Sequence, residues 1–244
     1  MKTYQTNRAK IFFGGKADSL DTFEKKIKDA FETTPLSATN KTKNPLIFGH
    51  QVHESSLIEV NNSYINKDLI SSLCLIDSSD GLYTKEKNLA LGLYTADCVP
   101  CFVVSHNYIY SLHLGWKGVY FGLLKKCLKK IKENALLSDS KEAENNITEV
   151  FIGPHILCSS FEVQTDLIDK FSKVYSDKEL WSKTVNNKSY ISLIELIKID
   201  LKLSGLEHSL HFEEKDTFLS KDHYSYRSDD KTRLRNLSCA FLRP

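Results

Sequence analysis

Residues Leu89 to Gly118 read LALGLYTADCVPCFVVSHNYIYSLHLGWKG, and the strand order in this stretch decides the fold. Val99–Ser105 and Tyr108–Leu112 are apolar runs rich in β-formers, separated only by His106-Asn107. A two-residue loop there makes a hairpin in which Ser105 faces Tyr108 and Pro100 faces His113. Side chains alternate across a sheet with period two, so Cys98 and His113 project from one face at the open end of the hairpin. The diagonal between them is about 7 Å at the backbone, which a thiol and an imidazole bridge. Leu89–Thr95 is a further strand that enters the hairpin through the corner at Ala96-Asp97. Gly115-Trp116-Lys117-Gly118 leads out of it into a helix.

Working outward, helical spacing predicts one helix from Trp116 to about Asn134, with Val119, Leu123, Leu124, Cys127, Leu128 and Ile131 on its core face. Upstream, Ala9–Phe13 is a strand ending on Gly14-Gly15. A helix over Asp18–Phe31 follows, with Leu20, Phe23, Ile27, Ala30 and Phe31 buried. Thr33–Pro45 is a loop and Leu46–His53 a second strand, with Ser56–Val60 pairing beside it. The turn cluster Asp77–Gly81 feeds the strand Leu82–Thr84. Downstream, Glu149–Ile152 is a buried strand stopped by Gly153-Pro154, and helices are expected over Phe161–Tyr175 and Tyr190–Leu203. Glu207–Phe212, Tyr224–Arg227 and Leu237–Leu242 complete the strands. Helices and strands alternate but hairpins also occur, so the class is α/β with a mixed sheet in a single domain, residues 1–244. The polar, serine-rich stretch Leu136–Ile147 is a surface insertion within it.

Composition narrows the function classes. A chain of 244 residues that is 41% hydrophobic and 26% charged is an ordinary globular domain with a full core. Lys+Arg 33 against Asp+Glu 31 leaves +2, too little field to argue for nucleic acid or a membrane surface. Lys125, Lys126, Lys129 and Lys130 are a solvated helix face. No run reaches membrane-span length, Met1-Lys2-Thr3-Tyr4 opens no signal peptide, and the 6 cysteines form no disulfide framework; a reducing cytoplasm is the expected setting.

Cys98 and His113 therefore stand out as a thiol and an imidazole on one face. His53, at the end of the preceding strand, would complete a set of two histidines and a cysteine. Three protein ligands leave a tetrahedral zinc ion one open position, the arrangement of catalytic sites. Such an ion lowers the pKa of its water from about 15.7 to about 7. The metal-free chemistry uses the same pair, with Cys98 as nucleophile and His113 as base, and spacing alone leaves both open. Cys98 and Cys101 are a decoy: Pro100 lies between them and their strand parity is opposite. His155 is an outer candidate. Asp97 and Glu162 are the carboxylates considered for a general acid.

The motifs HQVH (50–53), DGLYT (80–84), TADCVP (95–100), HLGWKG (113–118), IGP with FEV (152–154 and 161–163) and YSYR (224–227) resemble the YfiH-type family, in its order. Its members are labelled laccase-domain or multicopper polyphenol oxidoreductase proteins, purine nucleoside phosphorylases, or peptidoglycan editing factors. The resemblance implies an α/β (α+β) sandwich with a mixed sheet flanked by helices, like the toxin cysteine hydrolases of the cytotoxic necrotizing factors. It assigns His53, Cys98 and His113 to zinc, as ligands and catalytic centre. It further implies phosphorolysis of adenosine, inosine, guanosine and methylthioadenosine, with deamination of adenosine. The partners are then purine nucleosides and phosphate, with Lys117 and Arg227 as anion holders. Two imidazoles and one thiolate offer no multicopper cluster. Two further readings remain: a cysteine-type amidohydrolase of cell-wall precursors, and a non-catalytic binding protein that kept the pocket. The sequence departs from the family at Glu54, where glycine is usual, at Lys117, where arginine is usual, at Phe12–Gly15, at Asp216-Thr217, and at Thr232-Arg233-Leu234-Arg235.

Overall fold

The hairpin forms in the register that its loop dictates: Ser105 pairs with Tyr108, Cys101 with Leu112 and Pro100 with His113. The computed structural model describes residues 1–32, 45–64, 73–136, 148–206 and 209–243. In chain order its strands are β1 (Lys2–Gln5), β2 (Ala9–Phe13), β3 (Leu46–Gly49), β4 (Leu57–Glu59), β5 (Leu73–Ile76), β6 (Gly81–Thr84), β7 (Ala90–Thr95), β8 (Val99–Ser105), β9 (Tyr108–Leu114), β10 (Glu149–Ile152), β11 (Glu162–Val163), β12 (Ser182–Val185), β13 (Lys188–Ile191), β14 (Leu210–Phe212) and β15 (Asn236–Leu242). The helices are α1 (Leu20–Glu32), α2 (Trp116–Tyr120), α3 (Leu123–Leu136), α4 (Thr165–Ser172), α5 (Lys178–Trp181) and α6 (Leu193–Leu203).

The mixed-sheet sandwich flanked by helices forms as predicted, and its strands divide into a small three-stranded sheet, β11-β13-β12, and two large ones. One runs β1-β2-β15-β7-β3-β5 and the other β14-β10-β8-β9-β6-β4. Each mixes parallel with antiparallel pairs. The strand period sorts the core into layers. Phe102 and Val104 of β8 and Ile109 of β9 meet Ile11, Phe13, Ile47, Leu91 and Ala240 of the facing sheet. The alternate residues Val99, Cys101, Val103, Leu112 and Leu114 meet α2, α3, α4 and α6 on the outer side. Phe12, Leu46, Phe48 and Phe241 turn to the other outer face, where Phe23 of α1 covers them. Burying a Phe or Leu side chain contributes about 1.5–3 kcal/mol, so this alternation fixes the register: a one-residue slip would expose the whole set. By the same parity Cys98 and His113 face inward between the sheets, and Cys101 faces the helices.

Several elements differ from the sequence-based expectation. The second strand ends at Gly49, so His50–His53 form a loop. The segment around Ser56–Val60 pairs through β4 with β6, in the other sheet. The single helix after Trp116 breaks into α2 and α3 at Gly122, whose φ of +73° is the left-handed conformation glycine adopts freely. Of the helix expected over Phe161–Tyr175, Glu162-Val163 is instead β11, paired with β13. Likewise Tyr190–Ile191 closes β13, and α6 starts after Ser192, whose hydroxyl accepts from the Glu195 N–H. Tyr224–Arg227 is not a strand. The hairpin β12–β13 went unrecognised; its Asn186 and Asn187 both take positive φ (+49° and +61°), as a two-residue turn requires. The loop over 33–44, most of the insertion (137–147) and the expected strand's residues 207–208 lie outside the described residues, as do the side chains of Ile27, Ala30 and Phe31.

Candidate metal centre

The ends of β3, β7 and β9 and the starts of β6 and β8 meet at one end of the sandwich. After β3 leaves its sheet, the Gln51 side chain continues the pairing to β7. Its Nε2 donates to the Tyr94 carbonyl (2.8 Å) and its Oε1 accepts from the Tyr94 N–H (2.9 Å). This pins the loop, and His53 follows at φ +61°. Cys98 is set by the corner between the sheets, where Asp97 has φ +84°. Left-handed backbone at a residue other than glycine costs on the order of 1–3 kcal/mol, and hydrogen bonds hold both sites. The Asp97 carboxylate accepts from the Thr217 hydroxyl and the Arg227 N–H, each at 2.8 Å, and its carbonyl accepts from the Ile156 N–H.

His53, Cys98 and His113 thus come together, with their donor atoms within 4.8 Å of one another. The two imidazoles meet edge to face, 4.8 Å between centroids. Gly115 lies across the hairpin from Cys98, and a Cβ there would stand 2.9 Å from the Cys98 sulfur. Burial would raise the Cys98 thiol, but His113 and His53 outweigh it and hold the thiol at about 6. Burial would lower His113; the Cys98 thiolate and Asp80 instead carry it up to about 9. A thiolate and two imidazoles in contact suit zinc: a soft anionic donor, two nitrogen donors, and no fourth protein ligand in the group.

The same residues line a cavity of about 650 Å³, the size of a small-molecule site. Its walls are largely apolar and aromatic, including Leu75, Tyr94, Trp116, Ile156, Phe161 and Leu193, and two guanidinium groups, Arg227 and Arg235, also line it. Asp97 is its one carboxylate among the described residues, and both of its oxygens are engaged. Arg227 stacks on Phe161 at 5.3 Å, and one of its N–H groups donates to the Glu162 carbonyl. A neighbouring hollow of about 470 Å³ shares Trp116, Phe161 and Arg227 with this cavity.

Arg227 therefore sits in the cavity wall, but Lys117 does not. It is exposed, with its ammonium 5.8 Å from the Trp116 ring. Glu162 lines only the neighbouring hollow and pairs with Lys188 at 2.9 Å. His155 is buried away from the cavity. Its Nδ1 donates to the Gly153 carbonyl, and its Nε2 has no hydrogen-bond partner among the described residues. Two residues went unassigned by sequence reasoning. Arg235 was visible only as part of a departure from the family pattern. Asp80 opens the DGLYT motif, which marked a turn and carried no role. Its carboxylate is buried and accepts from His113 Nδ1 (2.8 Å) and from the N–H groups of His53 (3.0 Å) and Glu54 (2.7 Å). Burial alone would raise this carboxyl; the three donors hold it below its usual range.

Among the described residues no helix is long and apolar enough to cross a membrane. A protein named purine nucleoside phosphorylase from Campylobacter jejuni is 27% identical over 81% of this chain and 77% of its own length. Another of that name, from Staphylococcus epidermidis, is 27% identical over 74% and 66%, and a third from a different strain of that species is 29% identical over 57% and 49%. The chain thus spans about half to two thirds of the length of these staphylococcal relatives. The fold matches YlmD from Geobacillus stearothermophilus with a TM-score of 0.74 at 21% identity, covering 97% of this chain and 92% of that one. It also matches a hypothetical protein YfiH of Bacillus licheniformis with a TM-score of 0.71 at 22% identity, over 88% and 80%. Residues 23–243 match the family described as multi-copper polyphenol oxidoreductase laccase, and the chain belongs to that family.

Proposed function

We propose that the chain is a zinc-dependent purine nucleoside phosphorylase that also deaminates adenosine, with zinc held by His53, Cys98 and His113. One observation carries the reading: a donor set fit for a single zinc ion opens into a largely apolar cavity that two arginines also line. A flat, weakly polar base suits the apolar wall, and a phosphate suits the guanidinium pair. The names carried by the relatives point the same way.

When bound, zinc supplies a Lewis acid beside the polar atoms of a nucleoside. Phosphorolysis joins a phosphate oxygen to C1′ as the bond from C1′ to the purine nitrogen breaks. Arg227 and Arg235 hold the anion against the sugar and oppose its charge. Stacking on Phe161 and the bond to the Glu162 carbonyl fix the Arg227 guanidinium before substrate arrives, so little ordering is left for the reaction. Tyr94, already stacked on Phe48 at 4.0 Å between centroids, offers the base a rigid aromatic wall.

The test is adenosine with and without inorganic phosphate, following adenine and inosine, beside elemental analysis of protein purified without added metal. About one zinc per chain and phosphate-dependent adenine release, both lost in Cys98→Ala, are expected. The metal-free alternative draws on the thiol held at about 6. It gains if no metal is found and Cys98 is rapidly alkylated. Wild-type turnover of nucleosides by Cys98→Ala would remove both enzyme readings.

A further inference from the structure

We propose that Asp80 is the positioning residue of the metal centre, setting the tautomer and aim of His113 and the backbone of His53 at once; the inference rests on the metal reading above. Asp80 is 1% exposed, immediately before β6, and it engages His113 from two directions. Its carbonyl accepts the His113 main-chain N–H (2.8 Å), and Oδ1 accepts the ring Nδ1–H (2.8 Å). A carboxylate has no proton to give. His113 is therefore the donor at Nδ1, which leaves Nε2 as the nitrogen for Cys98 and a metal. Oδ1 also accepts the His53 N–H (3.0 Å) and Oδ2 the Glu54 N–H (2.7 Å). Those two bonds hold the turn in which His53 stands at φ +61°. One carboxylate thereby fixes two of the three ligands, which lie on separate elements: a loop after β3 and the end of β9.

A carboxamide in the same place accepts through one atom only. Its NH2 group would face N–H donors, so either the Glu54 bond is lost or, in the flipped amide, the His113 and His53 bonds are lost together. The first measurement is the zinc dissociation constant of apoprotein, by competition with a chromophoric chelator, for wild type and Asp80→Asn. A rise of about 10- to 100-fold is expected. Asp200→Asn, which alters a buried carboxylate on α6 that binds Tyr175 and Lys125, should leave the constant within about threefold even if it shifts the melting temperature. That separates positioning from general loss of stability. The second measurement needs no variant: long-range 1H–15N NMR of the zinc-loaded wild type should show His113 protonated at Nδ1 and ligated through Nε2. Ligation through Nδ1, or equal affinity in folded Asp80→Asn, overturns the role given to Asp80 and leaves the metal reading standing. A wild type that binds no zinc removes the metal reading itself, and with it this inference.

Discussion

Replacing Gly115 by alanine tests the hairpin, the thiol position and the metal reading with one methyl group. Gly115 has φ −70° and ψ 173°, which alanine adopts without strain, so the perturbation is steric alone. The new Cβ would lie 2.9 Å from the Cys98 sulfur and 3.7 Å from His53 Cδ2. Comfortable separation needs about 3.5 Å or more, so the sulfur must retreat by roughly 0.6 Å. Metal–ligand distances hold to about 0.2 Å, three times less than that displacement. Overpacking at the rim costs about 1–3 kcal/mol, and about 0.4–1 kcal/mol returns through the stiffer unfolded chain. The variant should therefore fold, melt a few degrees lower, and bind zinc at least about tenfold more weakly in chelator competition. Zinc affinity within twofold of wild type would refute the reasoning, because the sulfur would then not stand where the cross-strand register puts it, or would not be a ligand.

Under the nucleoside reading, Arg235→Ala and Arg227→Ala should each raise KM for phosphate about 10- to 100-fold, since a charged hydrogen bond is worth about 1.5–3 kcal/mol. Lys117→Ala should change it less than about threefold; steady-state kinetics at varied phosphate separate the two outcomes, and an equal effect from Lys117 would count against the cavity as the anion site. Burial keeps His155 neutral by lowering its pKa below the ordinary 6.5. The unfolded imidazole takes a proton as pH falls through about 6.5 and the folded one does not, so its contribution is present above that pH and lost below it, at up to about 1.4 kcal/mol per pH unit. Urea unfolding at pH 7.5 and 5.5 should show this slope reduced in His155→Gln, and an unchanged slope would locate the acid sensitivity elsewhere.

What was legible in the sequence was what period and loop length determine. The β8–β9 register followed from two loop residues, and with it the common face of Cys98 and His113. Strand parity also separated Cys98 from Cys101, now seen pointing to opposite layers. Less legible were features set by contacts between distant segments. Nothing local distinguishes β7 and β8 as members of different sheets; the division depends on the left-handed corner at Asp97, anchored by Thr217 and Arg227. The strand boundaries failed where a short strand precedes a helix with the same apolar content, at Glu162-Val163 and at Tyr190–Ile191. There periodicity continues across the junction and only the caps mark it. Asp80 and Arg235 escaped because their value lies in which main-chain and cavity atoms they reach.

The same geometry explains how the chain absorbs its departures from the family pattern. Glu54 replaces a usual glycine, yet the left-handed position in that turn is His53, and Glu54 is not among the residues with positive φ. What the turn uses at Glu54 is the N–H given to Asp80, which any residue but proline supplies. Thr217 of the altered Asp216-Thr217 pair spends its hydroxyl on Asp97, and Asp216 accepts from the Ser160 hydroxyl (2.6 Å) and the Phe218 N–H (3.0 Å). Lys117 is exposed and does not line the cavity, so exchanging arginine for lysine there leaves the residues of the cavity wall unchanged. These three changes fall on the scaffold or the surface, whereas the altered Thr232–Arg235 segment brings Arg235 into the cavity wall beside two imidazoles, one thiolate and Arg227. Under the nucleoside reading, any shift in substrate preference should then come from Arg235 and from the wall that Leu75, Tyr94 and Tyr226 contribute, none of which belongs to the donor set.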